Sequence, residues 1–272
     1  MLFNLVNNVP QRPGMEWGFW MNDYLVSRQL ANPSRNFADA LSDISSAFGR
    51  ASGDVQEILS DLTDYQRRML IDANMVPYFS AEDIYDDLGD LAGIITAHPR
   101  IPFETVNDYS ELQLNDFVSG DLARLREMKA HYESLQGRLV SMAGLVPASA
   151  TRFYLELLNC LKINSLRAAH SLDLYEAVVL NKRGDADSAK AALLSAELTR
   201  KAALAVVLSQ ETRYRYDLNR YIHQEINETV YPFGYLRQAH TLCFWERQAR
   251  QAESVVDKGR AASFSDLPTC IE

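Results

Sequence analysis

The feature that most constrains this chain is the interval between its apolar residues. They recur every three or four positions, and no run alternates at every second one. Trp17, Trp20, Met21, Tyr24 and Leu25 make one stripe, and Phe37, Leu41, Ile44 and Phe48 another. Val55, Ile58, Leu59, Leu62, Tyr65 and Met69 make a third, and Leu122, Leu125, Tyr132, Leu135, Leu139 and Met142 a fourth. At 3.6 residues per turn only an α-helix gathers such residues on one side, where they must be buried against another element. The pattern predicts an all-α fold, a multi-helix bundle of about seven or eight amphipathic helices.

Prolines, glycines and small polar residues divide these stripes. Pro10, Pro13 and Gly14 keep residues 1–14 extended. Asn32-Pro33 stops the tryptophan-rich helix, because the residue before proline resists the α region, and Ser34 is placed to cap the next one. Ser80 opens a helix whose apolar face is Ile84, Leu88, Leu91 and Ile95, and His98-Pro99 closes it. Residues 99–110 read as a loop and as the one soft boundary in a single helical domain spanning 15–254. Phe153, Leu157, Leu161, Ala168, Leu172, Tyr175 and Val179 form an almost heptad seam that ends at Gly184. Ser188 to Gln210 is rich in alanine and leucine, with Leu194, Leu198, Ala202 and Ala205 expected to face inward. A break at Tyr231–Gly234 precedes a last helix from about Tyr235 to Ser254. Residues 255–272 are expected to be a flexible tail.

Composition narrows the function classes. A formal net charge of -9 argues against a nucleic-acid partner held through its phosphates. No apolar stretch reaches membrane-spanning length and no signal peptide is apparent, so the chain taken as a whole reads as cytoplasmic, without a membrane partner. Cys160, Cys243 and Cys270 include no CxxC pair, which disfavours a zinc site, and no cofactor is expected. Cys160 and Cys243, set among apolar residues, read as core packing.

Candidate chemistry is sparse. Asp86, Asp87 and Asp90 spell the DDxxD string by which terpene synthases hold magnesium. The second metal motif fails here: Asn115-Asp116 begins it, but Ala123 stands where a glutamate ligand is needed. A solvated helix face near a positive helix end accounts for the same acids. His223-Gln224-Glu225 has the HxE form of zinc deaminases but no downstream PCxxC. Arg183-Gly184-Asp185 fits a helix-ending glycine better than an adhesion tripeptide. The C-terminal part interleaves aromatic and charged residues: Arg213, Arg215, Tyr231, Tyr235, Trp245 and Glu246. Such residues can line a sugar-binding surface, or knit helices together through paired arginine and glutamate.

One resemblance bears on these readings. Residues Asn7 to Trp20 (NNVPQRPGMEWGFW), followed by Ala31-Asn32-Pro33-Ser34, resemble the chain that follows the catalytic barrel in large bacterial glycosidases. Arg152 to Arg183 and Glu211 to Glu253 are similar to the helical C-terminal regions of such proteins, xylan α-glucuronidases among them. The resemblance implies an all-helical accessory region that packs on a barrel or makes a subunit contact, with no catalytic residue of its own. Trp17, Phe19 and Trp20 fall within four residues and cannot all face one core, which leaves Trp17 and Trp20 as candidates for a carbohydrate or an interface. The expected function is a non-catalytic helical module of a carbohydrate-active protein, packing on a catalytic barrel or forming a homo-oligomer. The alternatives are a metal-dependent helical enzyme built on Asp86, Asp87 and Asp90, and a protein-interaction bundle.

Overall fold

A computed structural model describes residues 30–32, 34, 36–75, 78–79, 101–211 and 242–267. Among these the fold is all-α: 85% of residues lie in helical turns, and there is no strand. The helices are α1 (Phe37–Ser46), α2 (Ser52–Gln66), α3 (Phe103–Asp108), α4 (Glu111–Phe117), α5 (Ala123–Ser141), α6 (Thr151–Lys182), α7 (Ala186–Glu211) and α8 (Cys243–Lys258). No described helix is long and apolar enough to cross a membrane.

The expected stripes of α2 and α5 are both buried. Val55, Ile58, Leu59, Leu62, Tyr65 and Met69 are at most 7% exposed, and so are Leu122, Leu125, Tyr132, Leu135, Leu139 and Met142. In α1, Leu41, Ile44 and Phe48 are buried, but Phe37 at its start is 43% exposed. That helix is capped by Asn36, whose side chain accepts from the Asp39 amide at 2.8 Å, and not by Ser34. Two π-helical stretches, Arg67–Asp72 and Val118–Leu122, extend α2 and join α4 to α5.

Residues 99–110 were expected to be a loop. Residues 103–108 instead form α3, with Phe103 and Val106 buried. Pro102 explains the difference: it occupies the N-cap, where its missing N–H costs nothing, so it opens a helix instead of forbidding one. Phe103 and Phe117 pack on the Tyr175 ring of α6 at 4.7 and 5.5 Å, and the Tyr175 hydroxyl donates to the Ile101 carbonyl at 2.6 Å. The segment is part of one hydrophobic cluster that runs from Ala40 in α1 to Val255 in α8.

Helix α6 is the axis of the fold. It packs against α5, α7, α8 and α3, and its heptad seam is buried from Leu157 to Val179, with Phe153 at its start half-buried. Gly184 turns the chain back into α7 at φ +84°, a left-handed conformation that glycine adopts without strain. Asp185 then caps α7 by accepting from the Ser188 amide at 3.1 Å. Helix α8 runs to Lys258, past the Ser254 end expected for it, because Val255 still faces the core at 0% exposure. Beyond it the Ala261 amide donates to Glu104 at 2.6 Å, which ties the start of the expected tail to α3.

Candidate functional site

Of the residues singled out in the C-terminal part, Trp245 and Glu246 are described. They are neighbours in sequence, and a helix turns about 100° per residue, so they leave α8 in different directions. Trp245 is fully buried against α6. Its ring centre lies 4.9 Å from that of His170 and 5.1 Å from the guanidinium carbon of Arg167. Arg167 donates to the Gln248 side chain at 2.8 Å, and one of its nitrogens lies 3.4 Å from His170 Nδ1. Arg167 and His170 are 0% exposed and Gln248 is 3% exposed. This arrangement is a knot between two helices: cation over indole, amide on guanidinium. A fully buried indole offers no face to a sugar arriving from solvent.

Glu246 points to the other side, into a cleft of 260 Å³ between α7 and α8. Leu193 and Ala249 are its apolar lining, and Glu197, Arg200, Arg250 and Glu253 share its wall with Glu246. Arg200 holds Glu197 in a two-toothed grip at 2.8 and 2.9 Å and reaches Glu246 at 3.8 Å. Its hydrogen bonds raise the Arg200 pKa and lower that of Glu197, with burial opposing both. Arg250 pairs with Glu253 at 3.0 Å. Acid–base catalysis by a carboxylate pair requires one acid held protonated near neutrality. Glu197 is driven the opposite way. What the cleft offers is a set of fixed charges able to accept and donate hydrogen bonds.

A second surface was placed wrongly by the sequence. Leu194, Leu198, Ala202 and Ala205 face outward, with Leu194 61% and Leu198 58% exposed. The inward line of α7 is Ala189, Ala196 and Ala203, joined by Val206 and Val207. Alanines seven apart let α7 lie close on α6, where leucines would hold the two axes apart. Leu208, 47% exposed, continues the outer apolar face toward the C-terminal end of α7. From Leu194 to Leu208 that face is about 21 Å long at 1.5 Å per residue.

Two further groups went unnoticed in the sequence. Asp173 of α6 accepts from the Ser195 hydroxyl of α7 at 2.7 Å, and burial pushes its carboxyl up to about 6. His131 stacks on Tyr65 with 3.7 Å between ring centres and lies 3.3 Å from Asp61; burial lowers its pKa, and the Asp61 charge opposes that. The available signal was a polar residue interrupting a helix that is apolar on most of its turns, as Arg167, His170 and Asp173 do in α6. Cys160 is core, as expected: it is 3% exposed, and burial pushes its thiol up to about 12.

Trp17, Trp20, Arg213, Arg215, Tyr231 and Tyr235 lie outside the described residues, as do Asp86, Asp87 and Asp90. Among the described residues no group of His, Cys, Asp and Glu could hold a metal ion. No known protein family, curated protein or solved structure matches the chain.

Proposed function

We propose that this chain is a non-catalytic helical module that docks on a protein partner through the outer face of α7. The observation that carries this reading is the exposure of Leu194, Leu198 and Leu208 along one helix. Scattered exposed leucines are ordinary, but an aligned apolar face on a helix with a well-buried opposite side is the usual form of a helix-docking surface. The resemblance to the helical regions of large glycosidases supplies a class of partner, a catalytic barrel domain. A photo-crosslinking residue at position 198 tests the reading. It should capture one discrete protein, while the same residue at Leu112, a 72% exposed leucine on α4, captures none. Equal capture at both positions would remove the support for a docking face.

The cleft beside Glu246 favours a second reading, binding of a hydroxyl-rich ligand such as an oligosaccharide. Its carboxylates and guanidiniums could each bridge two neighbouring hydroxyls. Titration of the protein with a glycan panel, repeated on Glu246→Gln, checks it. A panel with no binder leaves only the docking reading.

A further inference from the structure

We draw no further inference here: the strongest candidate, the apolar outer face of α7 marked by Leu194, Leu198 and Leu208, carries nothing, because Asp187 on its line and Glu197 beside Lys201 offset its lysine edge and nothing in the structure shows what covers it.

Discussion

Helices α6 and α7 are neighbours joined by a three-residue turn, and they treat polarity in opposite ways. Helix α6 buries an arginine, a histidine and an asparagine at 0% exposure; α7 leaves leucines 61% and 58% exposed. The difference follows from position. Helix α6 is packed by α3, α5, α7 and α8, so the polar groups that face those helices can be kept only by partners, as Arg167 is by Gln248 and by the Trp245 ring. Helix α7 has α6 and α8 on one side and nothing described on the other, so its packing is settled by the side that fits. Alanine at seven-residue spacing fits most closely. The pair teaches that apolar content by itself does not say which side of a helix is inside.

The sharpest way to break the comparison is to remove Arg167, the largest of the fully buried polar side chains. Arg167→Ala should destabilise the protein by about 3–4 kcal/mol, because it removes the guanidinium that donates to Gln248 and lies against the Trp245 ring, and leaves a cavity. Urea denaturation gives the number. A loss below about 1 kcal/mol would mean that the buried guanidinium is not what joins α6 to α8.

Next in size is the apolar seam. Leu161→Ala, at a position 0% exposed in α6, should cost about 2–3 kcal/mol. Leu194→Ala on α7 should stay within about 0.5 kcal/mol. Equal losses would show that the outer face of α7 is covered.

The α6–α7 contact also carries a titration. Asp173 ordinarily ionises near 3.8, and burial raises it to about 6. Its raised value means that the folded state holds the proton more tightly than the unfolded chain. Its contribution is therefore fully present below about pH 4 and lost as pH rises through about 6. Asp173→Asn should be more stable than the parent by about 1 kcal/mol at pH 7.5, a figure discounted for solvent screening, and should match it at pH 4. His131 works with the opposite sign, since its lowered pKa costs stability as pH falls below its ordinary 6.5. It is common to both proteins, so the difference between their pH profiles isolates Asp173. Parallel profiles would refute the assignment.

The sequence made α2 and α5 legible because each has one apolar stripe and an unambiguously polar back; the stripe alone then gives the phase. It misled at α7 because alanine and leucine occupy nearly every turn there, and a reading that favours the larger residue picks the wrong face. At residues 99–110 it mistook a helix-opening proline for a helix-forbidding one. Of the candidate site, the stretch around Trp245 and Glu246 was correctly marked as unusual. That two adjacent residues serve two places, an interhelical knot and a surface cleft, could not be seen before the rotation of α8 was known. Arg167 and His170 were hidden for a related reason: their partners Trp245 and Gln248 lie more than seventy residues away, on a helix whose pairing with α6 no local pattern announces.

The smallest expected effect is the most discriminating. Leu198 sits on the outer line of α7 at 58% exposure, so Leu198→Ser trades an apolar side chain already in water for a small polar one. Little transfer free energy is at stake, and serine lowers helix propensity by only about half a kcal/mol relative to leucine. Stability in urea should therefore fall by no more than about 0.5 kcal/mol. Partner capture is a different matter, since the lost leucine is central to the face. A variant that melts like the parent but no longer crosslinks through a neighbouring position, such as 194, separates docking from folding. If Leu198→Ser instead costs 2 kcal/mol or more, this leucine is buried in the folded protein in solution. The contrast between α6 and α7 would then vanish, and the outer face of α7 would be part of the core.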